Sequence, residues 1–438
     1  MIDTIGTNVV NDKCDATSYE SCSYKRKIYD LNLLYESFLK SKKGSSWKEQ
    51  VQKFGILYLS ELAQISNKLQ DRTFEFSDGI HFILHERGKT RYITGEQIQD
   101  RVVKHALCDE VLNPAILPHL IYDNGASIPG KGISFTRKRL LTHLHRYYQR
   151  HGSNEGYILL IDFSKYYDNL RHDVIRKLVR QYVDDEDALW LLNKVLEKSR
   201  IDVSYMTDEE YSRCMNEVFN SLEYQKIDKS LLTGEKFMDK HMDIGDQVSQ
   251  TMGIAYRIPI DNYVKIVKGV KEYGGYQDDT YVIHESKEFL EDLLKDIIEI
   301  AKQNGITVNT KKTRICKLSD WWSFLQLRYT LTDTGKVPQK INPKRLTAMR
   351  RRMKSRVKKC SLREFRDMYR SWFNSNYKYM SKLQRKNLDE LYSKLFEERA
   401  EELERIKKER EEKEKAAKKK TKAKTKKKEG AKECTQSH

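Results

Sequence analysis

The sequence has no apolar run long enough to cross a bilayer. Stretches such as "YILLI" at 157–161 fall far short of the roughly 20 residues a spanning helix needs, so no membrane partner is expected. The opening "MIDTIGTNVVNDKCD" lacks a basic lead and an apolar core, and no secretory signal is expected from it. Seven cysteines are scattered without a CxxC pair, which argues against a disulfide framework or a zinc site and for reduced thiols in a cytoplasmic protein. There is no HExxH signature, and none of the 11 histidines is assigned to a metal. No internal repeat is evident.

Positive charge is what the chain has in excess. Its 82 Lys and Arg face 64 Asp and Glu, a formal net charge of +18. Such a balance favours a polyanionic partner, nucleic acid first. At 438 residues with 38% hydrophobic and 10% aromatic content, the chain can build one large multi-lobed domain or two to three ordinary ones. Residues 340–386 carry 17 Lys and Arg against Glu364 and Asp367, so this short stretch holds +15. Within it, Leu346, Met349, Met353 and Val357 form an apolar stripe, while Lys344, Arg345, Arg350, Arg351, Arg352, Lys354 and Arg356 cover the rest. A helix of this kind packs on one side and tracks phosphates on the other, with salt-sensitive, largely sequence-independent binding. The tail, residues 397–438, has 16 Lys and Arg against 11 acids and reads as a solvated single helix or a disordered arm.

Periodicity outlines the elements. Residues 1–26 read as a poorly ordered lead. Helical spacing over 27–69 predicts two helices around "KKGSSW", and alternation over 74–94 predicts two or three short strands. A helix is expected near 96–112. The continuous apolar run 157–163 reads as a buried strand ending in Asp162, followed by a helix over 170–182 whose stripe is Leu170, Val174, Leu178 and Tyr182. Residues 184–241 look helical and charged. "KEFLEDLLKDIIEIAKQNG" is a strong amphipathic helix stopped by Gly305, and "ITVN" reads as a strand. The layout is α+β, with helices packed on one face of a small antiparallel sheet.

The chemistry gathers at "EYGGYQDDTYVIH", residues 272–284. Asp278 and Asp279 occupy the turn of a hairpin, 116 residues after Asp162. If the two strands are neighbours, three carboxylates meet in one corner and need cations to remain ionised together. Two hard divalent ions with oxygen ligands, Mg²⁺ most naturally, meet that need and clamp the oxygens of a phosphoryl displacement. A plain Asp-Asp surface turn is the bland alternative for this stretch alone.

Beyond that stretch, the chain resembles the reverse transcriptases. "YQDD" is similar to their Tyr-x-Asp-Asp box, and "LLIDFSKYYDNLRHDVI" to their motif A. "IGDQVSQ" resembles the Gly-x-x-x-Ser-Gln form of motif B, with "IPIDNYVK" as its trailing helix. "ITVNTKKT" is similar to motif D, "WWSFLQLRYTLTDTGKV" to the hairpin at the thumb base, and "ERGKTRYI" and "IQDRVVKHAL" to finger motifs. These boxes stand in the family's order over roughly residues 75–385. The resemblance implies a right-hand polymerase fold with fingers, a ferredoxin-like palm and a helical thumb. The implied boundaries are N-terminal helices and fingers at 27–156, palm at 157–340 with an insertion about 184–241, basic thumb at 341–396 and charged tail at 397–438.

It also implies site roles. Asp162, Asp278 and Asp279 would hold two Mg²⁺ ions, or Mn²⁺ in their place, with the Phe163 carbonyl as a further ligand. Tyr167 would be the steric gate against a ribose 2′-hydroxyl. Gln247 and Ser249 would line the nucleotide pocket, Arg87 and Arg91 would grip the triphosphate, and Lys312 would protonate the pyrophosphate leaving group. Apart from the resemblance, Asp168 and Asp173 read as residues that cap or solvate the helix that follows. Gly274 and Gly275 would leave room for a primer end, while Pro259, a departure from the family's pattern, should kink the helix after motif B.

The implied activity is RNA-directed DNA synthesis from dNTPs on an RNA template, extending a DNA or RNA primer. A cognate structured RNA or an accessory protein would be a further partner. The motif B form points to a bacterial or phage retroelement, diversity-generating or unclassified, or to an antiphage defence system. No endonuclease cluster, ribonuclease H region or integrase follows the thumb, so autonomous mobility is not expected. Two rivals share the fold: an RNA-dependent RNA polymerase, in which Asp168 would act as a second acid, and a non-catalytic RNA-binding protein. "GASIPGKG" at 125–132 begins like a phosphate-binding loop but continues with Gly132 where Ser or Thr is needed, and reads as a finger loop.

Overall fold

The computed structural model describes residues 26–86, 89–224 and 226–433; Arg87, nearly all of the N-terminal lead and the end of the tail lie outside the described residues. Contacts group the chain into two compact units. One holds residues 26–143 with Tyr157–Ile315, and the other Leu144–Gly156 with the chain from Cys316 onward.

The first unit begins with three helices where two were expected: α1 (Leu31–Lys42), α2 (Glu49–Ile56) and α3 (Tyr58–Gln70). Asp30 caps α1, its carboxylate accepting the Leu33 N–H at 2.8 Å. Leu57 leaves helical geometry between α2 and α3, just after the helix-weakening Gly55. Strands β1 (Ile80–Glu86) and β2 (Lys89–Gly95) form an antiparallel hairpin running from Ile80 opposite Gly95 to Glu86 opposite Lys89. His81 and His85 are four apart, but on an extended strand this spacing keeps their rings about 13 Å apart. Next come α4 (Ile98–Leu107), a wider π turn at Cys108–Leu112, the short α5 (Asn113–Ile116) and α6 (Ile133–His151).

Strand β3 (Tyr157–Ile161) is buried from Ile158 through Ile161, which explains a run without alternation. It lies inside a four-stranded sheet of order β6-β7-β3-β8, where β6 is Tyr273–Tyr276, β7 is Asp279–His284 and β8 is Arg314–Lys317. Helix α13 (Lys287–Gln303) buries Leu290, Leu293, Ile297 and Ala301, and Gly305 at φ +74° ends it. "ITVN" does not form a strand; it makes one antiparallel bridge, Phe163 to Val308.

Helix α7 (His172–Arg180) starts later than the periodicity suggested, so its buried face is Ile175, Leu178 and Val179 instead of one centred on Val174. Residues 184–241 are not wholly helical. Helices α8 (Glu186–Lys198), α9 (Asp208–Asn216) and α10 (Ser221–Tyr224) are joined by a two-residue ladder of β4 (Ile201–Asp202) and β5 (Phe237–Met238). Val203, Met206, Cys214, Phe219 and Met238 form a small core of their own. Helix α11 (Gln247–Ala255) gives way to α12 (Ile258–Asn262), with Pro259 in the first turn of the new helix. The expected kink is thus a break, at a position where proline's missing N–H costs nothing.

In the second unit, β9 (Trp322–Phe324), β10 (Leu327–Tyr329) and β11 (Gln339–Ile341) make an antiparallel sheet of order β11-β10-β9. Three helices follow: α14 (Pro343–Arg356), α15 (Leu362–Asn376) and α16 (Lys382–Glu433). The stripe read from sequence is the core of this bundle. Leu346, Met349, Met353 and Val357 are buried against Phe365, Tyr369 and Leu388. No helix among the described residues is long and apolar enough to cross a membrane.

Candidate active site

Strand register assembles the site. β3 and β7 pair from Tyr157 opposite His284 to Ile161 opposite Thr280. One step further in that register sets Asp162 opposite Asp279, where antiparallel partners stand about 5 Å apart at Cα. β6 and β7 pair through Tyr276 opposite Asp279, so Gln277 and Asp278 form a two-residue hairpin turn. Gln277 takes φ +53°, as the tight turns matched to strand twist require. The buried Arg257 donates from Nη1 to the Gln277 carbonyl at 2.6 Å and holds that turn.

The backbone thus gathers Asp162, Asp278 and Asp279. Among the described residues, no three His, Cys, Asp or Glu side chains already converge as a metal cluster. Asp162 instead meets the exposed Lys312, whose Nζ lies 3.0 and 3.4 Å from the two carboxylate oxygens. The bridge between Phe163 and Val308 is made by the Asn309 N–H on the Asp162 carbonyl at 2.7 Å and the Ser164 N–H on the Thr307 carbonyl at 2.8 Å. Neither bond uses the Phe163 carbonyl. Three carboxylates on adjoining strand ends and this carbonyl make an all-oxygen donor set, which fits a hard divalent cation.

Tyr167 sits over the turn. Its hydroxyl donates to Gln277 Oε1 at 2.9 Å, and Gln277 Nε2 donates to Ser127 Oγ at 2.7 Å. Burial, with the nearby Asp278 carboxylate, pushes the Tyr167 phenol well above its ordinary pKa, so it remains a neutral donor. A Cβ added to Gly253 of α11 would lie 2.8 Å from the Tyr167 hydroxyl oxygen, so glycine there gives the ring its place. Gly274 and Gly275 lie against the protein's own groups. Added Cβ atoms would meet Tyr281 and Asp123 at the first and Arg257 at the second; these glycines make room for the protein's own groups.

The motif B residues divide. Gln247 lines a cavity of about 690 Å³ and another of about 610 Å³, and donates to Asp109 at 2.7 Å. Ser249 is fully buried in α11 and lines neither cavity. Gln250, one residue on, lines both. The sequence signal for Gln250 was the terminal Gln of the Gly-x-x-x-Ser-Gln box itself. Lys104, from a finger motif, was also missed. It is buried, pairs with Glu96 and lies 2.8 Å from Asp246, the N-cap of α11. Burial alone would lower its pKa, but the Asp246 and Glu96 carboxylates raise it and keep it charged.

Arg91 shares its strand face with Ile93, Phe82 and Ile80, and those three line the larger cavity. Asp168 does not cap α7: its carboxylate is buried and accepts from Ser221 Oγ at 2.9 Å, with His241 Nδ1 at 3.2 Å. Asp173 is exposed at the start of α7 and pairs with Arg171 at 2.7 Å.

In the second unit, Lys344, Arg351, Arg352, Lys354 and Arg356 are exposed on α14 and Arg350 is half-buried. Arg345 turns inward, donating to Asn376 at 2.9 Å and lying over the Trp372 ring.

Residues 83–329 match the family model described as reverse transcriptase (RNA-dependent DNA polymerase). The match covers more than half of the chain, which belongs to this family and has its right-hand polymerase fold. No curated protein matches the chain. Among solved structures, a telomerase from Candida albicans in complex with a fragment of telomeric RNA is similar at 12% identity and a TM-score of 0.39. The similarity covers 80% of this chain and 64% of that one, so the chain spans less than two thirds of that telomerase.

Proposed function

We propose that the chain is an RNA-directed DNA polymerase that extends a DNA or RNA primer with dNTPs on an RNA template. The observation that carries this reading is the β3–β7 register, which brings Asp162 beside the Asp278–Asp279 turn with Tyr167 seated on that turn. Two Mg²⁺ ions, or Mn²⁺, held by Asp162, Asp278, Asp279 and the Phe163 carbonyl would neutralise charge on the attacking and leaving oxygens.

The other roles fall to the chain's own groups. The Tyr167 ring, backed by Gly253, excludes a ribose 2′-hydroxyl. Gln247 and Gln250 face the nucleotide and template base, and Arg91 reaches the triphosphate from the hairpin face. Lys312, already at the Asp162 carboxylate, is placed to give a proton to pyrophosphate. The exposed cations of α14 track the duplex backbone. Fingers at 27–156, palm at 157–340 and thumb at 341–396 are the corresponding lobes, and the form of motif B supports a bacterial or phage retroelement or defence setting.

A specific observation weighs against the RNA polymerase reading. The acid at position 168 is committed to Ser221 and His241, so it does not serve as a second acid beside Tyr167. The test is primer extension on an RNA template with dNTPs and, separately, NTPs. Asp162→Asn and Asp279→Asn should each cut the dNTP rate by about 10³-fold or more, since several kcal/mol of charge stabilisation depends on these carboxylates. Extension that persists in both variants, or NTPs used as well as dNTPs, overturns the proposal.

A further inference from the structure

The insertion at 184–241, which motif comparison leaves without a role, is bonded directly to the loop that carries Tyr167. Residues 167–172 and 239–242 form a short antiparallel ladder. The Met242 N–H donates to the Tyr167 carbonyl at 2.9 Å, the His241 N–H to the Leu170 carbonyl at 3.2 Å and the His172 N–H to the Asp239 carbonyl at 3.1 Å. From within the insertion, Phe219 closes a two-bond ring with Asn169, whose Oδ1 accepts the Phe219 N–H at 2.8 Å and whose Nδ2 donates to the Phe219 carbonyl at 3.1 Å. Ser221 donates to Asp168 through both Oγ, at 2.9 Å, and N–H, at 3.3 Å.

His241 is the junction of these parts. Its Nδ1 faces Asp168 at 3.2 Å and its Nε2 faces Asp243 at 3.7 Å, while Asp243 accepts from Thr94 of β2 at 3.0 Å. The residue is buried and held at φ +142°, a conformation L residues rarely adopt. A histidine kept there in spite of its backbone bridges three segments: the turn with Tyr167, the approach to α11 and the finger hairpin.

The insertion can bear the load. Its small core includes Phe219, whose backbone holds Asn169. Lys240 is buried and donates to the carbonyls of Cys214, Met215 and Glu217 at 3.2, 3.2 and 2.7 Å. Its ammonium thereby satisfies the C-terminal end of α9. Downstream, the Tyr167 ring lies where a Cβ at Gly253 would meet its hydroxyl at 2.8 Å, so it packs close to α11. A displacement of the loop is passed on to the ring.

We infer that the insertion determines sugar selectivity at a distance, with His241 and Asp168 as positioning residues that set the Tyr167 ring against the nucleotide ribose. The inference rests on the reading of Tyr167 as the gate. Neither residue touches substrate. Their loss should therefore act on the choice between dNTP and NTP through the Tyr167 ring.

The test measures kcat/KM for a dNTP and for the matching NTP on one RNA template, in the parent protein and in His241→Gln, Asp168→Asn and Tyr167→Val, with thermal unfolding in parallel. Tyr167→Val should abolish most of the selectivity. His241→Gln and Asp168→Asn should each lower the dNTP/NTP ratio by roughly tenfold, mostly through a higher KM for the dNTP and an easier entry of the NTP. If Tyr167→Val leaves the ratio unchanged, the gate reading fails and takes this inference with it. If Tyr167→Val removes selectivity while the other two keep the parent ratio, only the inference fails. Should His241→Gln or Asp168→Asn yield no folded protein, Ser221→Ala, which removes one donor from Asp168, decides by a smaller fall in the ratio or by none.

Discussion

The two units use their cations in opposite ways. In the first, the most informative ones are buried and committed. Arg257 holds Asp261 at 2.8 Å, the Tyr273 hydroxyl at 3.0 Å and the Gln277 carbonyl. Lys104 pins the N-cap of α11, Lys240 caps α9, and His241 bridges Asp168 to Asp243. In the second unit, Arg351, Arg352 and Lys354 are exposed on α14 and form no ion pair among the described residues. The difference teaches that a net charge of +18 is two properties in one number. Buried cations are scaffold, fixed by neighbours that would be stranded without them. Open cations are unspent electrostatic attraction for a polyanion.

The largest effect expected from breaking this contrast is at Arg257. Arg257→Met keeps the length of the side chain but leaves the buried Asp261 without its cation and frees the Gln277 carbonyl at the turn. Removing one partner of a buried pair costs about 3–5 kcal/mol. The measurement is the free energy of denaturant unfolding. A variant as stable as the parent would show that the turn is held by other means.

The open set sharpens the contrast from the other side. Replacing Arg351, Arg352 and Lys354 together by Gln should leave unfolding nearly unchanged, since exposed positions away from packing shift stability by about 0.5 kcal/mol or less each. Affinity for an RNA–DNA duplex should fall, and the slope of log affinity against log salt should drop by up to about 3, close to one per lost phosphate contact. An unchanged slope would mean that α14 is a solvated helix and that the duplex is tracked elsewhere. The same substitutions leave the dNTP/NTP ratio alone if the insertion and Tyr167 set it.

The same divide governs what the sequence could reveal. Short-range patterns were legible. The run at 157–161 marked the buried strand before Asp162, and the spacing of Leu346, Met349, Met353 and Val357 marked the one face α14 buries. The order of the boxes marked the corner where three carboxylates gather. Illegible were bonds between segments far apart in the chain that leave no periodicity. Asn169 reads like any polar residue until Phe219, 50 residues away, presents its backbone to it. Asp168 looked like a helix cap because capping is the local option for Asp, yet a buried His241 outcompetes it. Ser249 and Gln250 differ for a related reason: a box gives residue types in order, and only the helix shows that Gln250 lines the cavities while Ser249 is buried. Arg345, one of seven basic residues on a basic helix, could not be told apart from the rest without Trp372 and Asn376 beside it.

The narrowest contrast separates two histidines at one junction. His172 and His241 touch through the His172 ring and the His241 carbonyl at 2.7 Å, yet their charges are tuned in opposite directions. Burial lowers the His172 pKa to about 4, against a weaker pull from the His241 carbonyl and Asp239 and with Arg176 and His241 adding repulsion. Burial also opposes charge at His241, but the hydrogen bond to Asp168 and the nearby Asp243 carboxylate outweigh it and raise its pKa to about 9. An unfolded histidine titrates near 6.5. For His172 the unfolded chain takes up a proton that the folded one refuses, so stability falls as pH drops from about 6.5 toward 4. For His241 the folded chain keeps a proton that the unfolded one has lost. Its contribution is therefore complete below about 6.5 and is lost as pH rises through 9. Unfolding midpoints measured across this range should decline at both ends. His241→Gln should remove the alkaline decline and leave the acid one, whereas His172→Asn should do the reverse. If both variants flatten the same limb, the two rings titrate as one unit and the bridge from Asp168 to Asp243 does not depend on a charged His241.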